Sequence, residues 1–155
     1  MATEIERKFL VSTELWKPAD DGVHYVQGYI SANFERVVRV RIAGQDAFLT
    51  IKSLASNLTM HNFEYAIPLE DARQILEMHC RKPHIEKLRH REMHFGKMWE
   101  IDVFLKENDG LVVAEVELES EGEEIVLPDF VTREVSADHR YYNASLYKKP
   151  FMGWR

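Results

Sequence analysis

Carboxylates spaced two residues apart, and cationic side chains spaced two apart, recur along this chain of 155 residues. Glu4 and Glu6 form one acidic pair, and Glu115 and Glu117 form another that continues to Glu119. Arg39 and Arg41, and then Lys87, Arg89 and Arg91, repeat the spacing with positive charge. In an extended strand, residues two apart share a face and lie about 7 Å from each other, at roughly 3.3 Å of rise per residue. Carboxylates so placed suit a hard divalent cation such as magnesium or manganese, which takes oxygen ligands and keeps waters. Guanidinium forks on one face suit bidentate contact with phosphate. Together these groups suit a polyanion that carries metal ions.

Strands must hold such groups, and the sequence supplies them. Alternation predicts strands near residues 3–11, 23–32, 35–43, 46–53, 60–67, 84–94, 97–105 and 111–119. Turn signals part them, among them Ala43-Gly44-Gln45-Asp46, Phe95-Gly96-Lys97 and Glu107-Asn108-Asp109-Gly110. One helix is expected from Pro68 and Leu69 to about Cys80, and a second from a Ser136 cap through Asp138 to Tyr147. Eight strands with short connections suggest a sandwich or a barrel.

Parity carries the argument further. Glu4, Glu6 and Lys8 oppose Ile5 and Phe9, and Tyr25, Gln27 and Tyr29 oppose Val26 and Ile30. Arg39 and Arg41 oppose Val38 and Val40; Lys52 opposes Ile51; Glu64 opposes Phe63 and Tyr65. Lys87, Arg89 and Arg91 oppose Leu88, Glu100 and Asp102 oppose Trp99 and Ile101, and Glu115 and Glu117 oppose Ala114 and Val116. Any one such strand reads as an amphipathic strand with its polar side in water. Collectively the polar positions are ionic and grouped by sign, with cations on strands three, four and six and anions on strands seven and eight. Fields of opposite sign facing one another across an interior suit a metal-bearing polyanion. Without a ligand, many of the same groups should pair with each other.

Composition narrows the class. With 45% apolar and 30% charged residues the chain reads as a soluble globular protein, expected as one domain over residues 1–155. A net charge of −6 argues against general nucleic-acid binding, which relies on Lys and Arg. Charged residues stand where a signal peptide would need its apolar run, and no stretch approaches the ~18 apolar residues of a spanning helix. Strands apolar outside and polar inside also occur in outer-membrane barrels. Two amphipathic helices and the charged Arg7 and Glu86 on the apolar face argue against that, so a cytoplasmic location without membrane partners is expected. A single Cys80 excludes an internal disulfide. The histidines show no ligand spacing matched to another motif. An apolar exterior with two helices to cover it points to a homodimer.

Glu4-Ile5-Glu6-Arg7-Lys8 resembles the E-x-E-x-K signature of the CYTH superfamily, the triphosphate tunnel metalloenzymes. Further segments resemble it in order: Gln27-Gly28-Tyr29, Arg39-Val40-Arg41, Leu49-Thr50-Ile51-Lys52, Phe63-Glu64-Tyr65, Trp99-Glu100-Ile101-Asp102, Ala114 to Glu119, and Arg140-Tyr141-Tyr142-Asn143. The resemblance covers nearly the whole chain. It implies a mainly β fold, a closed eight-stranded antiparallel barrel forming a tunnel open at its ends, with flanking helices. It places metal at Glu4, Glu6, Asp102, Glu115 and Glu117, and the triphosphate at Lys8, Arg39, Arg41, Lys52, Lys87 and Arg89. Met60 and Asn62 stand where many relatives carry Arg and Glu, which leaves one wall of the site in question.

The activity this implies is Mg2+- or Mn2+-dependent hydrolysis of a small-molecule triphosphate, with inorganic tripolyphosphate favoured by the short chain. One ion would sit at Glu4, Glu6 and Glu117 and a second near Asp102 and Glu115, with a Lys8–Tyr29 pair as general base or Tyr29 as a structural phenol. A class IV adenylyl cyclase and a thiamine or nucleoside triphosphatase are alternatives using the same groups. A polyphosphate-binding module without turnover is an alternative of another class.

Overall fold

A computed structural model describes residues 2–154. Its strands are β1 (Thr3–Val11), β2 (Val23–Asn33), β3 (Arg36–Ala43), β4 (Asp46–Leu54), β5 (Thr59–Ala66), β6 (Ile85–His94), β7 (Lys97–Phe104), β8 (Val112–Glu117) and β9 (Val131–Glu134). Helix α1 spans Leu69–His79, and a single turn, α2, spans Asn143–Leu146.

Tight turns set the register that aligns the ionic faces. Phe95 and Gly96, at φ of 52° and 79°, join β6 to β7 so that His94 stands opposite Lys97. Positive φ at both central positions has the twist that a two-residue hairpin needs. From there Arg91 faces Glu100 and Arg89 faces Asp102. Glu100 faces Glu115 on the next strand, and Glu115 faces Lys8 on the one after. On the other side Gln27 faces Arg41, Tyr29 faces Arg39, Arg39 faces Thr50, and Thr50 faces Glu64.

Neighbouring strands run β5-β4-β3-β2-β6-β7-β8-β1, all antiparallel, and β1 then pairs with β5 to close a ring of eight. β1 makes this possible because one of its edges is shared. Thr3–Ile5 pair with β5, while Phe9 and Val11 pair with β9. β9, at four residues, is too short to show alternation in the sequence.

Because the ring interior is ionic, the apolar packing lies largely around it. α1 covers β2–β4, placing Ala72 and Leu76 against Val40 and Ala47. Trp16, Leu118 and Phe130, from the segments flanking β1 and β8, cover Phe9, Trp99, Ile101 and Val116. A third cluster fills one end of the ring with Val37, Ile85, Phe104 and Val113, capped by Tyr141, Ala144 and Leu146 of the C-terminal segment. The C-terminal segment thus packs across part of that end, where Phe34, Leu54 and Asn57 also line the cavity. The same segment replaces the continuous helix expected from Ser136 to Tyr147. A 3-10 turn at His139–Tyr141 and the four-residue α2 are parted by Tyr142, whose extended backbone (ψ 136°) interrupts the helix. Among the described residues no helix is long and apolar enough to cross a membrane.

The seat of α1 depends on Gly28. A Cβ there would come within 2.8 Å of the Cys80 Cβ and 2.9 Å of the Leu76 Cδ2. Gly28→Ala is therefore expected to destabilise the fold by about 1–3 kcal/mol, as overpacking does. Urea unfolding measures this, and an unchanged midpoint would refute the packing argument.

Candidate active site

The interior holds a cavity of about 280 Å³. Most of the residues singled out in the sequence line it. Glu4, Glu6 and Glu115 come from β1 and β8, Lys8 from β1, Arg39 and Arg41 from β3, Lys52 from β4, and Lys87 and Arg89 from β6. Tyr29 lines it from β2. Glu117 lies at the adjoining mouth, beside Glu4, Glu6, Glu100 and Glu119. Cations and carboxylates thus share one enclosed space with an acidic entrance.

Inside, opposite charges are paired. Lys52 Nζ is 3.1 Å from Glu4 Oε2, Lys8 Nζ is 3.7 Å from Glu115, and Arg39 is 3.5 Å from Glu64. Glu6 and Glu115 form a carboxyl pair in hydrogen-bonding contact. Burial, together with Glu115 and Glu4, pushes the Glu6 carboxyl well above the usual carboxylate range. Glu115 goes the other way: Lys8, Arg89 and Lys87 outweigh its burial and hold it well below that range.

Asp102 departs from the expectation of a metal ligand. It is wholly buried behind Lys87 and Arg89 and lines neither the cavity nor its mouth. Its Oδ2 accepts from Lys87 Nζ at 2.7 Å and from Arg89 Nη2 at 2.9 Å, and its Oδ1 accepts from Arg89 Nε at 2.8 Å. Although burial opposes it, these cations hold the carboxyl down at about 2. Both oxygens are committed, so Asp102 acts as a buried counter-ion for two cavity cations.

Of the two roles expected for Tyr29, general base or structural phenol, its contacts fit the second. Burial pushes its phenol up, against smaller opposing effects of Arg39 and Arg41. Its Oη accepts from Gln27 Nε2 at 3.0 Å, and its ring stacks on Tyr147. No hydrogen bond joins it to Lys8, whose Nζ donates instead to the Tyr141 carbonyl at 3.3 Å.

Comparison with known proteins places these features in a family. The CYTH domain family matches residues 2–148. The chain belongs to the CYTH family. It is 43% identical over 155 residues to an inorganic triphosphatase of Acetivibrio thermocellus, covering 100% of this chain and 99% of that one. An inorganic triphosphatase of Nitrosomonas europaea is 32% identical over 151 residues, covering 93% and 96%. A crystal structure of an inorganic triphosphatase superposes with a TM-score of 0.67 at 30% identity, covering 95% of each chain.

CYTH triphosphatases are generally metal-dependent. Among the described residues, no three carboxylate, imidazole or thiol side chains converge as a ready-made cage. The donor set nevertheless fits a hard cation. Mg2+ usually keeps waters and takes only one or two protein carboxylates plus substrate phosphates. Glu6 and Glu115 supply an adjacent carboxyl pair, the kind of place where a divalent ion would relieve carboxylate repulsion. Glu4 Oε2 is buried and, although near Lys52, makes no hydrogen bond.

Several cavity-lining residues lie outside the set expected from sequence. Glu64 accepts from Thr50 at 3.0 Å and pairs with Arg39, and Glu100 pairs with Arg89 and Arg91. Both lie on the ionic faces that parity identifies, so the signal for them was present. Asn143, which accepts from Lys87 Nζ at 3.1 Å, and Tyr142, whose ring lies 5.3 Å from Lys8 Nζ, come from the irregular C-terminal segment. No periodicity marks them. Met60 and Asn62 both line the cavity, and Asn62 Oδ1 is buried without a partner.

Asp102→Asn would leave Lys87 and Arg89 buried without a full counter-charge and is expected to cost about 3–5 kcal/mol of stability. Because its pKa is depressed when folded, Asp102 contributes stability that is present above about pH 4. That contribution, about 2 kcal/mol, is lost as pH falls through 2. Denaturant titrations of both proteins between pH 7 and pH 2 test this, and a variant as stable as its parent at pH 7 would refute it.

Proposed function

We propose that the protein hydrolyses inorganic tripolyphosphate to pyrophosphate and phosphate, with Mg2+ or Mn2+ bound by Glu4, Glu6, Glu115 and Glu117. The supporting observation is one enclosed cavity with cations on one wall and a carboxyl pair on another, in a chain 43% identical to an inorganic triphosphatase. Lys8, Arg39, Arg41, Lys52, Lys87 and Arg89 take the phosphate oxygens. The tunnel unit comprises the whole chain, residues 1–155. It works in the cytoplasm, as a homodimer formed across the uncovered outer face around Ile30, Ile51 and Tyr65.

In this reading the triphosphate replaces carboxylates as the partner of the cations, so that Glu4 and Glu115 are released from Lys52 and Lys8. Asp102 stays in place and keeps Lys87 and Arg89 directed at the cavity. A divalent ion held by Glu4, Glu6, Glu115 and Glu117 would supply charge neutralisation at the phosphate oxygens and would make water a better nucleophile. Water attacks the terminal phosphorus, the bond to the bridging oxygen breaks and that oxygen leaves on pyrophosphate, while the proton lost by the water passes to the phosphate products or to solvent. Tyr29, held protonated by its burial, donates a hydrogen bond and does not accept the water's proton. Positioned cations of this kind carry most of the rate in phosphoryl transfer.

Purified protein given tripolyphosphate, ATP, thiamine triphosphate or pyrophosphate, with Mg2+, Mn2+ or EDTA, is expected to release phosphate fastest from tripolyphosphate and only with metal. Glu6→Gln and Arg39→Ala should each lower the rate by about 10²–10³-fold. Cyclic AMP from ATP would assign a cyclase instead, and tight binding without turnover would leave a polyphosphate-binding module.

A further inference from the structure

All but one of the inward cations have a carboxylate within ion-pairing distance. Lys8, Arg39 and Lys52 pair with Glu115, Glu64 and Glu4; Lys87 and Arg89 pair with Asp102; Arg91 pairs with Glu100. Among the described residues, Arg41 has none. Its Nε donates at 2.9 Å to Oε1 of Gln27, a neutral amide that is completely buried and does not line the cavity. The other end of that amide donates to Tyr29 Oη at 3.0 Å. The Arg41 guanidinium also lies 5.0 Å from the centre of the Tyr25 ring, an aromatic face and no anion. Burial and the neighbouring Arg39 and Arg89 bring Arg41 down to about 9, as expected of a cation without a counter-ion.

From this geometry we infer that Gln27 is a positioning residue for the triphosphate. Its carbonyl fixes the direction of the Arg41 guanidinium without neutralising it, and its amide nitrogen turns the Tyr29 proton toward the cavity. The inference rests on the triphosphatase reading of the site. An entering polyanion must displace a carboxylate from Lys8, Arg39 and Lys52, and at Lys87 and Arg89 it meets charge already offset by Asp102. At Arg41 it displaces nothing, so Arg41 is the charge available for first contact. A glutamate at position 27 would keep nearly the same shape and make a stronger, charge-assisted bond to Arg41. It would also cancel the charge and draw the Tyr29 proton to itself. A merely structural amide would tolerate that exchange.

Wild type, Gln27→Glu, Gln27→Met and Arg41→Ala are compared by calorimetric titration with tripolyphosphate, by thermal melting without ligand, and by steady-state kinetics. Gln27→Glu is expected to melt no lower than wild type, to bind at least ten-fold more weakly, and to show KM raised in proportion. Gln27→Met, still neutral, should bind more tightly than Gln27→Glu, and its loss should fall mainly on kcat because Arg41 is no longer oriented. Binding by Gln27→Glu equal to wild type, or tighter than by Gln27→Met, would overturn the inference. If Gln27→Glu does not fold, Gln27→Met is set against Arg41→Ala. Tighter binding by Gln27→Met supports the inference, and equal weakness overturns it. Wild-type protein that ignores tripolyphosphate would overturn the functional reading and this inference together, whereas wild-type binding with no ranking among the variants overturns the inference alone.

Discussion

Ionised groups are expensive to take out of water, by several kcal/mol each even in relaxed proteins, unless each finds a partner. The ring of strands takes many of them out of water at once, and its architecture is organised around that requirement. Asp102 shows it most sharply. With no exposure of its own, it accepts from both Lys87 and Arg89 and holds these cations at the cavity wall. Cross-strand register supplies the rest, since Lys8 stands opposite Glu115 and Arg91 opposite Glu100. Charge pairing is therefore a product of strand alignment, and strand alignment a product of the tight turns.

An interior given over to charge cannot also be the hydrophobic core. The apolar faces of the strands look outward and need cover from elsewhere in the chain. α1 covers one side, with Gly28 allowing it to sit close, and the segments bearing Trp16 and Phe130 cover another. The C-terminal segment fills one end, where inward positions become apolar at Val37, Ile85 and Phe104. An acidic mouth at Glu117 and Glu119 adjoins the cavity.

Much of this was legible in the sequence because a strand's two faces are written as odd and even positions. The ionic faces of β1, β3, β6 and β8, and the residues on them, follow from alternation alone. Alternation says which face a residue takes but not how deep it lies, so it does not show that Asp102 sits behind Lys87 and Arg89. It also could not show that the Tyr29 oxygen is already taken by Gln27, two positions earlier on the same face. β9, Tyr142 and Asn143 carry no period at all. They are placed by contacts with residues more than fifty positions away, such as Val135 N with the Lys8 carbonyl and Asn143 with Lys87.

β1 makes ring closure a matter of time as well as of energy. Its partners on both edges are β5, β8 and β9, all synthesised after it, and the last two near the end of the chain. From its emergence until then it carries open strand edges and an unpaired run of Glu4, Glu6 and Lys8. Chains dominated by such distant pairings fold slowly, because loop entropy is lost before the contacts form. The charges that later face the ligand also keep this waiting strand hydrated and discourage edge-to-edge association while the ring is incomplete.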